Sequence, residues 1–266
     1  MQDLRVSLVQ AETVWHDPRN NRELYARLMA PLAGATDLVV LPETFTSGFS
    51  NEAIDRAEGM DGPTVRWIRD QAAQINAVIT GSVQIRDGDG VYNRLLWATP
   101  EGGLHTYDKR HLFRMAKEHE RYASGRRRMT VELKGWRICP LVCYDLRFPV
   151  FVRNRFGVEV ADRFDYDLLV FVANWPSARR HAWRTLLQAR AIENLCCVAA
   201  VNRVGTDGNE VHYAGDSVAL DELGRALVEL GPQPQVATVT FSGAALRAHR
   251  ERFPAQMDAD RFELLD

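Results

Sequence analysis

"CPLVCYDLRFP", Cys139 to Pro149, is an apolar run that stops at a cysteine and passes at once into a tyrosine, an acid and an arginine. Its first half belongs to "WRICPLVC" (136–143), a short apolar segment of strand length. The cysteine at its end has two readings. It is a small hydrophobe in a core, or it is a nucleophile held at the carboxyl end of a strand. In open α/β sheets reactive groups collect beyond those ends, so fold and chemistry are decided together by what the chain places around position 143.

Segments of the same form recur at 5–12, 36–43, 76–85, 166–175 and 195–203. Each is apolar on both parities, as strands covered on two faces are. "GDSVALDELGRALVEL" (215–230) reads as a strand pair turning at "DELG", and "QVATVTFS" (235–242) as a further strand. Helical patterns lie between them. Leu24, Leu28 and Leu32 repeat in 18–33; Pro63 opens a helix with Val65, Ile68, Ala72 and Ile75 on one face; Trp183, Leu187, Ala191 and Leu195 mark a third in 181–195. Strand–helix alternation with late hairpins predicts a layered α/β fold with mixed sheets. No linker, low-complexity tract or charge block divides residues 1–266, so one domain is expected. "ATDLVVLPETF" and "DYDLLVFVANWP" echo each other, each releasing a polar residue, Glu43 or Asn174, after an apolar run. Glu43, Cys143, Asn174 and Asn202 all stand at expected strand ends.

Thirty-three Lys and Arg against 35 Asp and Glu give a net charge of −2. That offers no face for nucleic acid or an anionic membrane, and "GRRRM" reads as a solvated loop. No apolar run has membrane-spanning length, and "MQDLRVSLVQAE" lacks the order of a secretion signal. Cys139, Cys143, Cys196 and Cys197 suggest no disulfide framework, and no histidine falls at zinc-ligand spacing to them. The cytoplasm is the expected compartment. No metal or cofactor is expected.

A cysteine nucleophile needs a base or a positive environment. None of the seven histidines stands at an obvious apolar strand end; His111 and His119 merely lie in a polar-rich segment. The strand-end acid is Glu43 in "VVLPETF", which desolvation would suit to proton transfer near neutral pH; the plain alternative is a loop acid after Pro42. Lys109 in "YDKRHLF" offers a cation for a developing oxyanion, or is an ordinary surface lysine. Glu118 and Glu120 are either its anchors or helix acids.

These motifs resemble the carbon–nitrogen hydrolase family, the nitrilase superfamily. "LVVLPETFTSGF", "TYDKRHLF" and "PLVCYDLRFP" occur in the family's order, and the likeness spans nearly the whole chain. The resemblance implies a four-layer α-β-β-α sandwich, a Glu43–Lys109–Cys143 triad with Glu118 as a further glutamate, and dimers paired through the helical layer, with 244–266 as a tail in dimer contacts. "HLFRMAKEHERYASG", "VCYDLRFP", "VANWP" and "ARAIENLCCVAAVNRVGTDGN" look like the omega-amidase branch, which hydrolyses the distal amide of 2-oxoglutaramate or 2-oxosuccinamate. The segment 153–167 is longer than the family's usual link.

On that resemblance Cys143 attacks the amide carbon, Glu43 moves the proton, and Lys109 with the Tyr144 backbone N–H holds the oxyanion. The substrate carboxylate then needs an arginine. Arg147 is nearest in sequence, with Arg179, Arg180 and Arg203 as alternatives. Phe49, Phe113, Asn174 and Trp175 are candidates to wall the short carbon chain. Cys139, Cys196 and Cys197 read as core. Competing readings are a nitrilase, a deaminated-glutathione amidase or a carbamoyl-amine hydrolase on the same triad, a silent scaffold, and a cysteine protease using His119 or His181.

Overall fold

The computed structural model describes residues 1–264; positions 265 and 266 of the expected tail lie outside them. In chain order the elements are β1 (Leu4–Gln10), α1 (Pro18–Met29), β2 (Leu38–Val40), α2 (Pro63–Ile75), β3 (Val78–Asp87), β4 (Gly90–Ala98), β5 (Leu104–Asp108), β6 (Val131–Leu133), β7 (Trp136–Val142), α3 (Pro149–Val152), β8 (Leu168–Ala173), α4 (Arg180–Asn194), β9 (Cys197–Asn202), β10 (Val204–Thr206), β11 (His212–Ala214), β12 (Val218–Leu220), β13 (Ala226–Glu229), β14 (Gln235–Phe241) and α5 (Gly243–Arg252).

Two six-stranded mixed sheets share one topology. The first runs β14-β1-β2-β3-β4-β5 and the second β6-β7-β8-β9-β12-β13. In each, three central strands are parallel, with one antiparallel strand on one side and an antiparallel hairpin on the other. The echo seen in sequence is part of this repeat. Asp37, just before β2, accepts the backbone N–H of Arg5 at 2.8 Å; Asp167, just before β8, accepts that of Arg137 at 2.9 Å. β10 and β11 form a separate ribbon.

The first sheet alternates strictly. Val6, Leu8, Leu38, Val40, Leu95 and Trp97 face the second sheet, while Val9, Val39, Leu41, Leu96 and Ala98 pack with Tyr25 and Met29 of α1 and Ile68 and Ala72 of α2. The inter-sheet core continues through Ile138, Val170 and Val198 to Trp183, Leu187 and Ala191 of α4 and Leu246 of α5. These layers are α-β-β-α. Every strand between two covered faces is apolar on both parities for this reason, and each large side chain so buried contributes about 1.5–3 kcal/mol.

Two sequence expectations, the α1 stripe and the extent of the tail, are corrected, and two features, β4 and the ribbon, were not foreseen. α1 buries Asn21, Tyr25 and Met29, and not a Leu24–Leu28–Leu32 stripe: Leu24 and Leu28 are half-buried and Leu32 lies beyond the helix. Asn21 turns the helix because its amide closes the loops above it, bonding Val14 N, Val14 O and Thr46 O at 2.7–2.8 Å. β4 was hidden by its buried polar residues Asn93 and Arg94, whose partners come from elsewhere in the sheet. The three-residue strands of the ribbon are too short to show a period. Residues 244–252 belong to α5, pinned by Leu246 in the core and by Arg250 to Asp167, so an exposed tail starts only at Phe253.

The long segment 153–167 is tied down by Asp165, which pairs with Arg128 and Arg155 at 2.7 Å each. Among the described residues no helix is long and apolar enough to cross a membrane.

Candidate active site

Four strands deliver the site. Glu43 comes three residues after β2 ends, and Lys109, Cys143 and Asn174 each come one residue after β5, β7 and β8. The four are buried or nearly so, and Lys109, Cys143 and Asn174 line a cavity of about 540 Å³. Thr44 and Cys143 carry φ of +43° and +44°. Non-glycine residues held there cost of order 1–3 kcal/mol each, which the surrounding structure must enforce.

Glu43 is fully buried and fixed by donors on both oxygens. Oε1 accepts Lys109 Nζ at 3.0 Å and Asn93 Nδ2 at 2.8 Å; Oε2 accepts the backbone N–H of Asn174 at 2.7 Å. Lys109 Nζ also donates to Glu118 Oε1 at 3.0 Å and Oε2 at 2.9 Å. Glu118 in turn accepts Phe113 N at 2.6 Å. Burial would lower the Lys109 pKa, but Glu118 and Glu43 outweigh it and raise it well above the ordinary value. For Glu118 burial wins over Lys109, and its pKa is raised. Burial, then the negative Glu43, pushes the Cys143 thiol well up despite Lys109. With one lysine between two carboxylates, the thiol is biased toward its protonated form, an environment suited to a route that begins with proton transfer to a base.

Cys143 opens a single 3₁₀ turn, 143–147, whose first amides, Tyr144 among them, have no acceptor within the turn. Asp145, fully buried, locks that turn. Its Oδ2 accepts Val142 N at 3.1 Å and Tyr107 Oη at 2.7 Å; its Oδ1 accepts His111 N at 3.0 Å and lies 2.8 Å from His111 Nδ1. The Cys143 turn and the Lys109 loop are thus held by one carboxylate. His111 is a strut, stacked on Phe148 at 3.7 Å.

The remaining expected residues divide. Tyr144, Arg147, Phe113, Trp175, Phe49 and Arg179 line the cavity. Arg147 lies over the Trp175 ring at 4.9 Å and Arg179 over Phe113 at 5.3 Å. Arg180 instead pairs with Asp216 outside it, and Arg203 is buried against Tyr213, bonded to Thr13 O and Val204 O. Asn202 sits behind the wall, accepting Trp175 N at 2.8 Å. Cys139, Cys196 and Cys197 are buried core. The sequence reading missed Asn93, Tyr107 and Asp145, and the cavity wall supplied by the ribbon: Asp207, Asn209, Val211 and Tyr213. Asn93 and Asp145 carried a signal, a polar residue inside an apolar strand and an acid two residues past the cysteine. The ribbon carried none.

The profile of the Carbon-nitrogen hydrolase family matches residues 5–251. The chain belongs to that family. It is similar to omega-amidase YafV of Escherichia coli (strain K12), 47% identical over 99% of this chain and 100% of that protein. It is also similar to 2-oxoglutaramate amidase of Bacillus subtilis, 31% identical over 94% and 95%. The crystal structure of XC1258 from Xanthomonas campestris, a CN-hydrolase superfamily protein with an arsenic adduct in the active site, shares 68% identity and a TM-score of 0.98 over 99% of this chain and 100% of that one. Family and sandwich fold agree with the resemblance read from sequence. This carbon–nitrogen hydrolase acts on carbon–nitrogen bonds other than peptide bonds and is omega-amidase-like.

Proposed function

We propose that this enzyme hydrolyses the distal amide of a small 2-oxo dicarboxylic acid monoamide, 2-oxoglutaramate or 2-oxosuccinamate, to the acid and ammonia. The observation that carries this reading is a pair of guanidiniums in the cavity without a carboxylate partner among the described residues. Arg147 and Arg179 line the same space as Cys143, and among the described residues neither pairs with a carboxylate. A guanidinium stacked on an aromatic ring and lacking an anion is ready to grip a substrate carboxylate in two-point fashion. Phe49, Phe113 and Trp175 would bound the short carbon chain between.

Glu43 takes the Cys143 proton as Sγ bonds to the amide carbon, and the carbonyl electron pair moves onto oxygen. Lys109 and the Tyr144 N–H receive that oxyanion. Two of the three Nζ protons suffice for Glu43 and Glu118 if Glu118 shares one, which leaves one for substrate. Collapse breaks the C–N bond, and Glu43 gives its proton to the departing nitrogen as ammonia. A thioester remains. Glu43 deprotonates a water, which attacks the thioester; the C–S bond breaks, the acid leaves and the thiol regains its proton. Glu118 keeps Lys109 in place. The arsenic adduct in the related XC1258 site fits a reactive thiol there.

Ammonia release should be measured on 2-oxoglutaramate, 2-oxosuccinamate, glutamine, deaminated glutathione, an N-carbamoyl amine and an aliphatic nitrile. The 2-oxo amides should have the highest kcat/KM. Glutamine or a nitrile as the better substrate overturns the assignment and leaves the triad intact.

The chain is also proposed to work as one domain and as a cytoplasmic homodimer. Four free, buried cysteines suit a reducing compartment. Phe253, Met257, Phe262 and Leu264 of the tail are exposed and apolar, a set that a second copy would cover. Sedimentation at micromolar concentration should show a dimer, and a monomer there would refute the assembly.

A further inference from the structure

We propose that Asn93 is a positioning residue that directs the proton of Cys143 to one oxygen of Glu43, Oε2. The proposal deepens the reading of Glu43 as the base and rests on it. Asn93 lies inside β4, is 1% exposed and stands behind the cavity wall. It touches three of the four charged or reactive elements of the site. Its Nδ2 donates to Glu43 Oε1 at 2.8 Å and reaches Glu118 Oε1 at 3.5 Å, and its backbone carbonyl accepts Lys109 N at 3.0 Å.

The assignment of the oxygen follows from counting lone pairs. Oε1 already accepts both Asn93 and Lys109, which fills its two sites. Oε2 accepts one close donor, Asn174 N at 2.7 Å, and only a stretched contact from Asn174 Nδ2 at 3.5 Å, which leaves it the less occupied of the two oxygens. The carbonyl of the same Asn174 accepts from Cys143 Sγ at 3.9 Å, so the residue that holds Oε2 also touches the thiol. Asn93 further supplies a neutral donor where two carboxylates share one lysine, and a donor to the ionised form favours that form. Its own Oδ1 is buried with no hydrogen-bond partner among the described residues, so the carboxylates orient the amide. Lys109, Glu118 and Cys143 face Glu43 directly, with Tyr122 and Tyr213 further off, and a substitution at 93 leaves all of these in place.

The test is the pH profile of Asn93→Leu and Asn93→Asp, normalised to active sites by thiol titration. Loss of a hydrogen bond to a charged group should lower kcat roughly 10- to 150-fold with KM unchanged. The acid limb of kcat/KM should move to higher pH, because Glu43 loses a donor to its anion, and further in Asn93→Asp, which adds a negative charge. The alkylation rate of Cys143 should show the same displacement without any substrate. Should the leucine variant not fold, the isosteric aspartate carries the same test. An unmoved limb, or a loss confined to KM or to the count of active sites, overturns the proposal. Glu43→Gln assayed in parallel separates the two readings. Turnover in Glu43→Gln removes the base itself, whereas a dead Glu43→Gln beside Asn93 variants with wild-type profiles removes only the role of Asn93.

Discussion

The backbone N–H of Asn174, past the end of β8, donates to Oε2 of Glu43, past the end of β2, at 2.7 Å. The Asn174 side chain reinforces the link, donating to Glu43 O at 2.7 Å and Thr44 Oγ1 at 2.9 Å. The two sheets are therefore tied together at the carboxylate proposed as the base. The corresponding ends of a repeated topology meet face to face, one supplying the acid and the other the amide that orients it.

Cys143 lines the cavity, while Cys139, Cys196 and Cys197 are at most 1% exposed. Cys143→Ala should fold normally and release no ammonia. A maleimide probe followed by peptide mapping should label Cys143 well before the other three; residual turnover in the alanine variant would disprove the thioester route.

Lys109→Ala should lower kcat by about 10²–10³, the usual cost of one preorganised oxyanion donor. It also leaves Glu43 and Glu118 buried without their shared cation, so its thermal midpoint should drop. Glu118→Ala should be milder in kcat. Equal activity of Lys109→Ala and wild type, measured as initial ammonia release, would exclude Lys109 from the chemistry.

Arg147→Ala and Arg179→Ala decide which arginine holds the carboxylate. The true partner, when truncated, should raise KM for 2-oxoglutaramate by roughly 10- to 150-fold, the worth of a hydrogen bond to a charged group. Activity on small neutral amides should hardly change. If neither variant moves KM, the carboxylate is bound elsewhere.

Asp145 is a stability prediction. Asp145→Ala strips acceptors from Tyr107 Oη and from the N–H groups of Val142 and His111. Each buried group left unpaired costs about 1–3 kcal/mol, so urea unfolding should show a loss of several kcal/mol. A wild-type midpoint would mean the turn is held by its backbone alone.

Burial raises the pKa of Cys139 and of Tyr25 to about 12 from ordinary values of 9.0 and 10.0, and pushes Tyr107, Tyr166 and Cys197 well up. In this range the folded chain keeps protons that the unfolded chain releases. Stability should therefore be complete below the unfolded values and fall as pH rises above about 9 toward the raised ones. Urea midpoints at pH 7, 9 and 10 should decline in that order, and an increase on going alkaline would contradict the burial of these groups.

Much was legible in the chain itself. The central strands announced themselves because a strand covered on both faces must be apolar on both, and the stripes of α2 and α4 were equally plain. Glu43 and Cys143 stood out because each follows an apolar run that ends abruptly in polarity, whereas Lys109 follows the polar LHTYD and was singled out by its motif and the family resemblance. What tertiary structure alone decided is pairwise. Asn93, inside a strand, and Asp145, inside the turn, gain meaning from groups 50 and 38 residues away, Glu43 and Tyr107. The ribbon that walls the cavity has no period to read. Of Arg147, Arg179, Arg180 and Arg203, Arg180 is taken by Asp216 and Arg203 is buried against Tyr213, contacts that arise only in the folded chain. Local order is written in periodicity, whereas the protonation of sulfur and the freedom of a guanidinium depend on desolvation and on charges that only the fold brings within a few ångströms.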